Sequence, residues 1–146
     1  MGRIRNKKRK RKKGVRSLNK EDFEELKRKL KGVKYLRDLD EETIVKGMDS
    51  LAKKITVTPT QIRKVYGELR RLKGKQDFKG KLIRLEPRLA YAVAREKGLE
   101  LLYDIFKESK EKIIDENDLE KLIFMFETLV AYQKYHEAFQ QERRSE

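Results

Sequence analysis

Apolar residues recur along this chain at every third or fourth position, the spacing of one face of an α-helix. Four places carry a common start signal. A polar cap residue has an apolar residue just before it and another four positions after it, so that the outer pair closes as a hydrophobic staple. Asn19 stands between Leu18 and Phe23, Asp40 between Leu39 and Ile44, Thr58 between Val57 and Ile62, and Asp115 between Ile114 and Leu119.

The pattern predicts a first helix near 20–31, with Phe23, Leu26, Leu30 and Val33 on one side and a charged outer face, packing as a thin cover. A second runs near 41–54, where Ile44, Val45, Met48, Leu51, Ala52 and Ile55 form one broad stripe. A third opens at Thr58-Pro59-Thr60-Gln61 and runs to about Lys73. Proline suits the first helical position, and Thr with Gln three later makes a capping box. Residues 74–81, GKQDFKGK, have little to bury and read as a mobile loop. Pro87 marks the start of a fourth helix, near 87–112, with Gly98 a point for a kink at a cost of about 1 kcal/mol relative to Ala. The last helix spans about 116–142 and is apolar on two sides. Leu119, Leu122, Ile123, Phe126 and Val130 make one stripe; Phe124, Ala131, Tyr132, Tyr135, Ala138 and Phe139 make the other. Such a helix is central in its bundle or buries its second face on another subunit. With no convincing strand alternation and no internal repeat, the expectation is an all-α fold. It is a compact bundle of about five helices in one domain over 17–146, with a disordered basic arm at 1–16.

Charge adds the first functional constraint. The chain of 146 residues carries 39 Lys and Arg against 25 Asp and Glu, a net +14. Residues 1–16 hold ten basic and no acidic residues, and 53–97 hold fourteen basic against four acidic. Residues 98–146 are acidic, with seven basic against twelve acidic. The arm buries almost nothing and repels itself, so its ordering entropy goes unopposed until a polyanion meets it. A surface this basic attracts phosphate backbones. No cysteine is present and only one histidine, which excludes disulfides, thiolate metal sites and iron–sulfur clusters and leaves no multi-histidine metal site. No cofactor is expected. No stretch approaches the ~20 apolar residues of a membrane span, and no apolar segment follows the N-terminal charges, so a soluble cytoplasmic protein with no membrane partner is expected. Abundant Lys and Glu without Trp or Cys suit a thermophile.

The third helix carries the candidate chemistry. Ile62, Val65, Tyr66, Leu69 and Leu72 fall on one side, and Arg63, Lys64, Arg70 and Arg71 on the other. A merely solvated face usually mixes signs; here four positives meet only Glu68. Clustered cations of this kind suit contact with a nucleic-acid backbone. Lys73, Lys75, Lys79, Lys81 and Arg84 continue the ridge, and Arg88, Tyr91 and Arg95 then follow on one helical line. Tyr91 reads either as core or as a surface on which a base stacks. His136 reads as an ordinary surface residue, remote in sequence from the ridge. The acidic groups Asp38, Asp40, Glu41 and Glu42, and Asp115, Glu116 and Asp118, stand at helix starts, where they complement the macrodipole. Neither a phosphate-cradling glycine loop nor a nucleophile elbow is present, so no enzymatic activity is expected.

Three segments together carry a resemblance: ITVTPTQIRKVYGELRRLKG at 55–74, LEPRLAYAVAR at 85–95 and DLEKLIFMFETLVAYQKYH at 118–136. They resemble the small subunit of type III-A CRISPR effector complexes, the Csm small subunit, over about residues 40–140. The basic arm is not part of the resemblance. The resemblance implies an all-α, non-catalytic protein that stacks as a short filament along the guide RNA–target RNA duplex. Its partners would be the guide and target RNA, the backbone subunits that hold the guide and cut the target, the large polymerase-like subunit, and further copies of itself. Carried over by motif, Arg63, Lys64, Arg70, Arg71, Arg88 and Arg95 would line the RNA. Two alternatives stand beside it. The second helix, a turn at 55–58 and the third helix have the order of a helix-turn-helix DNA-binding protein, although Arg, Lys and Glu suit phosphates better than base edges. A protein that uses its charge only to meet an acidic protein partner is the other.

Overall fold

The computed structural model describes residues 21–55 and 59–145, with side chains described through 139. The arm at 1–16, the Asn19 cap with Leu18, and the Thr58 cap with Val57 lie outside the described residues. Six α-helices are present among those described, and no strand: α1 over 21–32, α2 Glu41–Lys54, α3 Pro59–Arg71, α4 Phe78–Arg95, α5 Glu100–Lys110 and α6 Glu116–Ser145. Short 3-10 turns at Leu36–Asp38 and Lys97–Leu99 precede α2 and α5.

The first half of α6 is the centre of the bundle. Leu119, Leu122, Met125, Phe126 and Leu129 are fully buried. α6 packs against α2, α3 and the Leu36–Asp38 turn, while α4 packs against α5 and α3. Phe126 meets Phe106 of α5 edge to face, with ring centroids 6.4 Å apart. α1 covers α2 closely: a Cβ at Gly47 would lie 2.6 Å from the Leu26 Cβ, so only glycine admits this approach. Of the two faces expected on α6, both are buried or half-buried along its first half. Farther on, Tyr135 and Phe139 stay exposed, their rings 4.7 Å apart.

Two helix starts behave as the sequence suggests. The Asp40 carboxylate accepts hydrogen bonds from the Thr43 backbone N–H at 3.0 Å and from its hydroxyl at 2.8 Å. Leu39 and Ile44 are buried beside it, as the staple requires. Asp115 accepts the Asp118 N–H at 3.2 Å, opening α6. Ile114 is 52 % exposed, however, so that staple is left open.

Two expectations are corrected. Residues 78–81 are not loop: α4 begins at Phe78, and Pro87 lies inside it. Phe78, Leu82, Leu85 and Leu89 form one buried stripe, and its burial outweighs the poor helix propensity of Gly80 and the bond lost at Pro87. The expected helix over 87–112 is also two helices, broken at Lys97–Leu99 rather than kinked. Continued past Leu89, the α4 stripe would point Glu96 and Glu100 at the core. The break at Gly98 lets Leu99, Leu102, Ile105 and Phe106 start a buried stripe in a new phase. Among the described residues, no helix is long and apolar enough to cross a membrane.

Candidate nucleic-acid interface

α3 and α4 lie side by side and leave a basic groove along their outer edge. One stretch, about 420 Å³, is lined by Gln61, Lys64, Val65, Glu68, Pro87, Arg88, Tyr91, Ala92 and Arg95. A second, about 300 Å³, is lined by Glu68, Arg71, Leu72, Lys75, Lys81, Arg84, Leu85 and Arg88. The two meet where the Arg88 guanidinium of α4 pairs with the Glu68 carboxylate of α3 across the groove.

Helical periodicity explains this cast. At about 100° per residue, Lys64, Glu68 and Arg71 fall within about 60° of one another on α3. Arg84, Arg88, Tyr91 and Arg95 recur at three- and four-residue spacing and share one line of α4. The opposite sides hold the helices down: Ile62 and Leu69 of α3, and Leu82 and Leu89 of α4, are buried. The turn between the helices is set by Gly74, whose φ of 81° is a left-handed conformation that favours glycine. Its N–H donates to the Glu116 carboxylate of α6 at 2.7 Å, anchoring the turn that presents Lys75.

The structure thus brings together Lys64, Arg71, Lys75, Lys81, Arg84, Arg88 and Arg95. Four further expected residues stand off the groove. Arg63 and Arg70 lie about 80° or more around α3 from its lining face, and the Arg70 guanidinium sits over the Tyr66 ring at 5.7 Å. Lys73 pairs with Glu120 of α6 at 3.7 Å, and Lys79 lines neither stretch. Lys81 pairs with Asp77 at 3.8 Å while still reaching the groove. Of the lining residues, Glu68 alone carries a carboxylate, so cations dominate the field there. Tyr91 is not core: it is 67 % exposed. Gln61 and Pro87, which the sequence marks only as helix-start residues, also line the groove; the signal for Gln61 is that it shares the Lys64–Glu68 face at helical spacing.

His136 is corrected as well. It is half-buried rather than an ordinary surface residue, with Nε2 2.6 Å from the Asp49 carboxylate of α2. It stacks on Tyr132, with centroids 6.3 Å apart. It therefore fastens α6 to α2. Of the acidic residues at helix starts, Asp40, Asp115 and Asp118 accept backbone N–H groups there. Hydrogen bonds from the Thr43 hydroxyl and N–H lower the Asp40 carboxyl to about 2. Burial alone would raise Asp118, but the Ile114, Arg37 and Asp115 backbone N–H groups outweigh it and hold this carboxyl below the usual range.

The model of the Csm2 Type III-A family matches residues 36–139. That range contains every residue lining the groove. No curated protein and no solved structure matches the chain. The family match lends no support to the helix-turn-helix alternative.

Proposed function

The chain belongs to the Csm2 Type III-A family, the small subunits of type III-A CRISPR effector complexes, and on that premise we propose that its α3–α4 groove binds guide and target RNA through their phosphates. The observation that carries this reading is the groove itself. Seven cations from two helices and one turn converge there on a surface with a single carboxylate. Neutralising a phosphate backbone releases its condensed counterions, and that gain is independent of base sequence. Base pairing between guide and target reads sequence, and this subunit recognises charge and strand shape. It performs no chemistry; its contribution is to hold the target strand beside the subunits that cut it. The basic arm at 1–16 adds to the same attraction. The acidic C-terminal end faces protein: the backbone and large subunits of the complex and further copies of this chain. The protein works in the cytoplasm.

The test is RNA binding as a function of salt for three proteins: the full chain, a chain lacking residues 1–16, and an Arg71→Glu/Arg84→Glu/Arg95→Glu variant. For single strands the log–log slope is roughly −0.7 per phosphate neutralised, so the triple variant should lose about two units of slope along with affinity. If only the truncation loses binding, the arm carries the affinity, and the groove reading is wrong.

A further inference from the structure

Phosphate contact leaves the aromatic face of one groove residue unused. Tyr91 projects from α4 between Arg88 and Arg95, and the residue is 67 % exposed. The Arg95 guanidinium lies over that ring, 5.9 Å from its centroid. Among the described residues Tyr91 packs on no other aromatic ring, unlike the exposed Tyr135, which meets Phe139. Its hydroxyl can donate to a phosphate, but the face of a large, flat, wetted ring between cations has no use there. That face suits a planar ligand.

We propose that Tyr91 is a stacking platform for an unpaired base, so that this end of the groove takes single-stranded RNA. This inference rests on the reading of the groove as an RNA site. A duplex keeps its base faces inside its own stack, and only an unpaired base can present one to a side chain. The surroundings fit such a ligand. Lys64 and Arg95 are placed for the flanking phosphates, and the Gln61 amide brings hydrogen-bonding groups for a base edge, while Glu68 holds Arg88. This open stretch offers about 420 Å³, within the roughly 300–1,000 Å³ of ordinary small-ligand clefts. Stacking is tolerant of sequence, because every base has a π-face. It therefore adds affinity for single strands without adding specificity.

The experiment uses the full chain and a labelled oligoadenylate RNA, alone and paired with its complement. The variants are Tyr91→Ala, Tyr91→Phe, Tyr91→Lys and, as a groove control, Arg71→Glu/Arg84→Glu. Circular dichroism checks that each keeps its helices. Tyr91→Ala should weaken single-strand binding about tenfold, leaving the salt slope and duplex binding unchanged. Tyr91→Phe should bind as the parent does. Tyr91→Lys should stay weak although it adds a positive charge. A 2-aminopurine placed in the strand should be quenched by the parent and not by Tyr91→Ala. Parental binding by Tyr91→Ala, or tighter binding by Tyr91→Lys, overturns the stacking role. If Arg71→Glu/Arg84→Glu has lost binding in that case, the phosphate reading survives alone. If that control binds RNA like the parent, both readings fall.

Discussion

The backbone N–H of Arg37 donates to the buried carboxylate of Asp118 at 2.8 Å, joining the turn before α2 to the first turn of α6. The same carboxylate accepts the Ile114 and Asp115 N–H groups at 2.9 and 3.2 Å, and the Arg37 guanidinium pairs with it at 3.4 Å. Four donors thus converge on one fully buried acid. Asp118→Ala leaves three backbone N–H groups without their acceptor. It should cost about 3 kcal/mol, read by urea denaturation. Asp115→Ala, at a half-exposed cap, should cost about 1 kcal/mol.

Acid stability follows from the two depressed carboxyls. Asp40 at about 2 and Asp118 below the usual range both favour the folded state while ionised. Their contribution is fully present above the unfolded carboxylate value of about 4 and is lost as pH falls through the folded values. The midpoint of urea unfolding should therefore drop between about pH 4 and pH 2. Asp40→Asn should flatten that limb, and an unchanged limb would contradict the assignment.

The glycines of α2 and α3 should respond in opposite directions. At Gly47 a methyl group meets Leu26 at 2.6 Å, so Gly47→Ala should destabilise by about 1–3 kcal/mol despite better helix propensity. At Gly67 nothing lies within 4 Å of the added Cβ. There Gly67→Ala should stabilise by about 0.5–1 kcal/mol. Thermal unfolding of the two variants side by side checks the α1–α2 contact.

Glu68 opposes the groove's field and holds Arg88. Glu68→Gln should free that guanidinium for phosphate and raise RNA affinity about two- to fivefold at low salt. A loss of affinity would mean that the ion pair positions Arg88 rather than competing for it.

Much of this fold was legible because burial and capping agreed locally. The expected second helix has the observed bounds of α2, since Asp40 caps it and Ile44, Met48 and Leu51 form a single stripe. The start of α4 was hidden by local chemistry: Gly80 and three lysines suggest a loop, while the deciding stripe from Phe78 to Leu89 crosses Pro87. At Gly98 the sequence shows a kink and not a break, because the break depends on where Leu99 and Phe106 must point, which only the packed core sets. The basic face of α3 was legible as a charge pattern. Its division into a groove side, Lys64 and Arg71, and an outer side, Arg63 and Arg70, was not, because it depends on where α4 lies. The pairing of His136 with Asp49 joins residues far apart in the chain and left no local trace.

The central claim is that a place, and not merely net charge, binds RNA. Two variants with the same charge change separate these: Arg71→Glu/Arg84→Glu in the groove and Arg63→Glu/Arg70→Glu on the outer side of α3. RNA affinity measured for both at one moderate salt concentration should fall by at least about tenfold for the groove pair and by far less for the outer pair. Equal losses would contradict the account, because the protein would then bind RNA through its overall field.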